Sequence, residues 1–242
     1  MTAHSLYISI ITVIVSLIAG EVFFRIAKWY PARLKEKLCI SAREILNITK
    51  DAQALSPDIP KASALFAKLS HQKLILKLIT AIMYLVVIQH YGLGIISILT
   101  LVFVSVLLVL SVIDLHEHIL PDELTLGLLW LGLLVNSFGV FISLNEAVLG
   151  VIVGFSVFWL IHHACKIIYK KDGLGYGDCK LLAAIGAWVG IQHILLVILL
   201  SSLLCILHAV VLMIFKKYQK SQVIPYGPSL AVAGFVVLLF GL

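Results

Sequence analysis

The chain has 242 residues, 62% of them hydrophobic and 12% charged, with a mean hydropathy of +1.12 and a formal charge of +6. That balance excludes an ordinary soluble domain and points to an all-α polytopic membrane protein whose apolar runs use the bilayer as solvent. The lysines and arginines cluster between the apolar runs, so membrane topology accounts for the positive charge and no nucleic-acid partner is needed.

Residues 6–24 make the first spanning segment. They lack a basic n-region and a small-x-small cleavage site, so a retained anchor is expected, not a cleaved signal. Near its end Glu21 and Arg25 stand four apart, a spacing that lets the two charges pair on one helix face. From about 25 to 73 the composition changes to a basic, mixed segment that includes Arg33, Lys35, Lys37, Arg43, Lys50 and Lys61. This is the one sizeable extramembrane loop. A short surface helix is expected over 31–46, and Ser56-Pro57-Asp58-Ile59-Pro60 breaks any continuation. Its basic charge places the loop in the cytoplasm by the positive-inside rule, which puts the N-terminus outside.

Residues 74–90 and 95–113 then cross out and back around the Gly92-Leu93-Gly94 turn, and 124–141 and 147–168 form the next pair. The apolar stretch 181–190 is too short to cross ~30 Å of hydrocarbon as a straight helix, and is expected to be broken, thinned or half-buried. Residues 194–215 and 230–242 complete about eight membrane segments in a single membrane domain, 1–242. Every basic cluster, including Lys170-Lys171 and Lys216-Lys217, then falls on one side.

Asp114 and Asp178 stand at that same membrane surface, each where a polar loop meets an apolar helix. A charge there is costly unless it has a purpose. Asp178 closes Gly173-Leu174-Gly175-Tyr176-Gly177-Asp178-Cys179-Lys180. Lys180 is two positions away and points elsewhere on a helix. Two carboxyl groups a few ångströms apart cannot both ionise, so they share a proton, and one acts as base toward water while the other donates toward a peptide carbonyl. Gly173, Gly175 and Gly177 open backbone angles closed to other residues and give an extended substrate room to approach. The plainer alternative for Asp178 is that it caps a helix, and capping is the favoured reading for Asp122, after Pro121.

His116-Glu117-His118 is not H-E-x-x-H and has no third ligand nearby, so no metal is assigned. His162, His163, His193 and His208, inside apolar runs, are expected to bond between helices. Cys39, Cys165, Cys179 and Cys205 are scattered singly and form neither a zinc knuckle nor a disulfide framework. A transporter that binds a proton or cation at the same two acids is the competing function, although the acids lie near the interface and no paired half-repeat is present.

Asp114 with Leu120-Pro121-Asp122, and the block Gly175-Tyr176-Gly177-Asp178-Cys179-Lys180, resemble the two signature regions of the bacterial type IV prepilin peptidases, the GxGD membrane aspartyl proteases. The resemblance covers most of 95–187. It implies a peptidase core over 95–242 with Asp114 and Asp178 as the catalytic pair, and with Gly175, Gly177, Lys180, Pro121 and Asp122 binding substrate or shaping the site. It further implies cleavage of the basic leader of prepilins or pseudopilins at the cytoplasmic face of the inner membrane, with no cofactor for proteolysis. The N-terminal part departs from the pattern. Cys39 is the only cysteine between Arg25 and Lys73, so the tetracysteine zinc site of many relatives is absent there. Of the frame that ends the first helix in such relatives, this chain keeps Gly20 and Pro31 and carries Glu21 where another polar group is lost. N-methylation from S-adenosylmethionine is associated with that region and is left open.

Overall fold

The computed structural model describes residues 3–45, 70–169, 175–215 and 224–241. The described chain is helical: α1 (Ala3–Ile45), α2 (Ser70–Tyr91), α3 (Ile95–Glu117), α4 (Asp122–Ser137), α5 (Leu144–Tyr169), α6 (Tyr176–Val189), α7 (Ile191–Ile214) and α8 (Gly227–Phe240). The expectation of an all-helical polytopic membrane protein is met. Tyr7–Pro31, Lys73–Tyr91, Ile95–Glu117, Leu144–Ile168 and Ile191–Ile214 are each long and apolar enough to cross a bilayer, and Gly227–Phe240 is a shorter apolar helix. Large apolar side chains such as Leu195, Ile206 and Ile214 stand exposed along these helices, as a lipid-facing surface requires.

Two compact units divide the chain, 1–89 and 90–242. In the first, α1 does not stop at residue 24 to begin a separate surface helix. It runs through Pro31 to Ile45 without a break. The basic loop's remainder, 46–69, lies outside the described residues, as do the Lys170-Lys171 and Lys216-Lys217 clusters. The predicted pairing of Glu21 with Arg25 is present at 3.2 Å, and Lys73 and Lys77 join it at 2.7 and 2.8 Å.

The second unit is built around α6. Its residues Cys179 and Leu181 to Val189 are all buried, and at 14 residues it is about 21 Å long, short of the hydrocarbon thickness. It is therefore an unbroken short helix enclosed by protein, which differs from the expectation that the 181–190 stretch is a broken, thinned or half-buried membrane segment. Small residues let its neighbours come close. A Cβ on Gly150 or Gly154 of α5 would collide with the backbone of α6 at Gly186 or Leu182, and one on Gly132 of α4 would meet the Trp188 ring at 2.6 Å. In a membrane, where lipid is as apolar as leucine, such close van der Waals packing is what drives helices together.

Polar links lock the arrangement. Trp188 Nε1 donates to the Leu128 carbonyl at 3.0 Å, and buried Asn136 donates to the Ala187 carbonyl at 2.8 Å while its Oδ1 accepts from the amides of Phe141 and Ile142. At the far end Gly190, at φ +75°, supplies the left-handed turn that separates α6 from α7. The end of α6 away from Asp178 is thereby fixed against its neighbours.

Candidate active site

Three helix termini line one pocket of about 260 Å³, the end of α3 and the starts of α4 and α6, and the start of α8 reaches Asp114 by a hydrogen bond. Asp114 lies in the last turn of α3, not beyond it, because the helix continues to Glu117 and is closed by His118 in the left-handed conformation (φ 54°, ψ 36°). His118 is the one non-glycine residue at positive φ among the described residues, and its N–H donates to the Asp114 carbonyl at 3.0 Å. This turn sends the chain through Ile119 and Leu120 along the pocket wall.

Asp178 sits in the first turn of α6, with its N–H donating to Gly175 O at 3.1 Å. Asp114 is buried and Asp178 half-buried, and both carboxyls line the same pocket. Burial pushes the Asp178 carboxyl up to about 7, the nearby Asp114 charge pushes the same way, and a backbone hydrogen bond from Gly175 partly opposes them. Asp114 Oδ2 accepts the Gly227 amide of α8 at 2.9 Å. A Cβ on Gly227 would stand 2.5 Å from that oxygen, so only glycine lets the helix start this close.

Of the other residues expected at the site, Gly175, Gly177, Lys180 and Asp122 line the pocket, and Pro121 stands beside it as the residue that starts α4. Asp122 is not a helix cap. The cap position falls to Pro121, no side chain caps the helix, and the Asp122 carboxylate instead takes both of its oxygens to Lys180 Nζ at 2.6 and 2.7 Å. A full ammonium outcompetes a helix amide for the carboxylate.

The glycines also act differently from the expectation. Gly175 has an ordinary extended backbone (φ −72°, ψ 143°). Gly177 is needed for contact, because a Cβ there would sit 2.9 Å from Leu120 Cβ. It lets α6 close on the Leu120-Pro121 corner. Gly173 lies outside the described residues.

Sequence reasoning missed Gly227 and its neighbour Tyr226. A Pro225-Tyr226-Gly227-Pro228 turn ahead of the last apolar run was the available signal. Tyr176 was inside the quoted block but given no role. It lines the pocket, and its ring lies 4.5 Å from that of His162. His163 bonds within its own helix, to the Trp159 carbonyl, where an interhelical partner was expected. Among the described residues no group of three or more His, Cys, Asp or Glu side chains is placed to hold a metal.

Chemically, the pocket offers two adjacent carboxyls of unequal surroundings, an ion-paired rim and an open mouth. Residues 101–210 match the type IV leader peptidase family. The chain is 42% identical over 175 residues to a prepilin leader peptidase/N-methyltransferase of Aeromonas hydrophila, covering 72% of this chain and 60% of that protein. It is 39% identical over 181 residues to the protein of that name from Pseudomonas aeruginosa (75% and 62%), and 36% identical over 177 residues to that from Neisseria gonorrhoeae (73% and 60%). The chain thus spans about three-fifths of the length of these curated relatives. No solved structure matches it.

Proposed function

We infer that this chain, whose residues 101–210 match the type IV leader peptidase family, is a member of that family and a membrane aspartyl endopeptidase that removes the basic leader from prepilins or pseudopilins. The observation that carries this reading is the meeting of Asp114 and Asp178 in one pocket. The ionised carboxyl takes a proton from water, and the water oxygen attacks the peptide carbonyl carbon. The protonated carboxyl gives its proton to the carbonyl oxygen; the carboxyl that took the water proton then passes it to the leaving nitrogen, the C–N bond breaks, and the other carboxylate regains a proton from the gem-diol, releasing the new amine and acid. The Gly227 amide on Asp114 Oδ2 favours a charge there, while Asp178, raised by burial and by the Asp114 charge, suits the proton-donating role, so Asp114 is taken as the base.

The substrate follows from the surroundings. A basic leader joined to an apolar helix keeps the helix in the membrane while the leader meets the interface. The basic segment after the first span supports an inner-membrane protein with this pocket at the cytoplasmic face. Nothing in the relatives supports the transporter alternative.

The relatives' names also carry N-methyltransferase. S-Adenosylmethionine has a cationic sulfonium and ribose hydroxyls that call for a carboxylate acceptor. Glu21, the acid near the end of the first span, is engaged by Lys73, Lys77 and Arg25, so it does not fit the cofactor.

Cleavage of a synthetic prepilin leader peptide by the purified chain tests the assignment. Asp114→Asn and Asp178→Asn should each abolish cleavage while the protein still folds and inserts. Retained cleavage in either variant overturns it.

A further inference from the structure

Gly227 reaches Asp114 with the one amide that the start of α8 offers there, since Pro228 has no N–H to give. That N–H belongs to the peptide joining Tyr226 to Gly227, so its direction is set by how Tyr226 is held. Tyr226 is held at two places. Its ring packs edge-on against Phe158 of α5, with centroids 5.8 Å apart, and its hydroxyl lies 2.6 Å from buried Ser201 Oγ of α7, with Ser202 Oγ at 3.3 Å.

We propose that Tyr226 and Ser201 are positioning residues which hold the Gly227 amide on Asp114 and so keep Asp114 the ionised member of the carboxylate pair. The catalytic consequence rests on the peptidase reading; the positioning itself does not. An amide aimed at a carboxylate stabilises its charged form, and the positive end of a helix adds to this. Both effects depend on direction. A phenol hydroxyl that tethers the N-cap of α8 to α7 fixes that direction from outside the pocket, without touching substrate.

Among the titratable groups around Asp114, His118 also favours its charge, and the variants below leave that contribution unchanged. Asp178 faces it from α6, and His118 stands at the end of its own helix. Asp122 and Lys180 on the rim are paired with each other, and Cys205 on α7 lies toward Asp178. Tyr226→Phe and Ser201→Ala leave all of these in place. Each removes only one end of the tether.

The test uses the full chain in nanodiscs, with two readouts. The first is the pH titration of the carboxyl infrared band in an Asp178→Asn background, where Asp114 no longer has its coupled partner. Adding Tyr226→Phe should raise its midpoint by about one pH unit, equivalent to a tenfold weaker hold on the charged form. The second is cleavage of a prepilin leader peptide by the single variants. Tyr226→Phe and Ser201→Ala should lower kcat about tenfold with KM unchanged within twofold, and move the acid limb of the kcat profile to higher pH. Ser201→Thr, which keeps the hydroxyl, should retain wild-type values.

An unmoved titration midpoint in Tyr226→Phe overturns the proposal, as does a loss of activity that Ser201→Thr shares with Ser201→Ala. Absence of cleavage by the wild-type chain overturns the peptidase reading instead, and the titration still decides the tether.

Discussion

Lys180 Nζ lies 2.6 Å from Asp122 Oδ1 and 2.7 Å from Oδ2, joining the first turn of α4 to the second turn of α6 across the mouth of the pocket. The pair accounts for a lysine two residues after Asp178 that does not neutralise it. It also ties together the two helix starts that flank the site.

Both partners are partly exposed, so the pair contributes only about 0.2–1 kcal/mol to stability. Asp122→Asn should therefore fold normally and lose less than about tenfold in kcat/KM, a far smaller effect than Asp178→Asn. Exchanging the charges, Asp122→Lys with Lys180→Asp, should recover most of that loss. Peptide cleavage by the three variants checks this. Abolished activity in Asp122→Asn moves that residue from the rim into the chemistry.

The raised Asp178 carboxyl makes stability depend on pH in a definite direction. Unfolded, the group titrates near the usual 3.8; folded, it titrates near about 7 because burial disfavours its charge. Between those values the folded state holds the extra proton. Its contribution is full below the lower value and is lost as pH rises through the upper one. Asp178→Asn removes the dependence. Thermal unfolding in detergent should show wild type losing Tm between pH 5 and 8 relative to Asp178→Asn, with the variant the more stable at pH 8. A constant difference between the two across that range contradicts the account.

How much of this was legible in the sequence depends on the range of the interaction that decides each feature. Long apolar runs mark α2, α3, α5 and α7 because membrane insertion is read from composition within one segment. The end of α1 was misplaced because charge density suggested a new element at Pro31, while the helix continues to Ile45. At the site, Asp114 and Asp178 stood out as acids at apolar boundaries. Asp122 was given to helix capping because its rival partner, Lys180, is distant in sequence and close only in the fold. The turn at Gly227 was legible, but nothing local says that its amide has a carboxylate to meet. Gly150-Val151-Ile152-Val153-Gly154 was legible and passed over. It is a small-x-x-x-small face in an apolar helix, the usual mark of a close helix contact in membranes.

That contact yields the third prediction. A Cβ on Gly150 would run into the Gly186 backbone, with the carbonyl carbon at 3.0 Å, and a Cβ on Gly154 would meet the Leu182 carbonyl oxygen at 2.9 Å. Backbone cannot rotate away as a flexible side chain does, so α5 and α6 must separate. Gly150→Ala should cost about 1–3 kcal/mol, the range for overpacking a well-filled interface. Gly127→Ala on α4 is the matched control, since nothing lies within 4 Å of its added methyl, and better helix propensity should make it neutral or more stable by up to about 1 kcal/mol. Thermal unfolding of both variants in the same detergent separates the two outcomes. Because α6 carries Asp178 at its start, Gly150→Ala should lower peptide cleavage as well, while Gly127→Ala should leave it unchanged. Equal stability of the two variants would mean that α6 is not held by close contact with α5, and that the position of Asp178 has another cause.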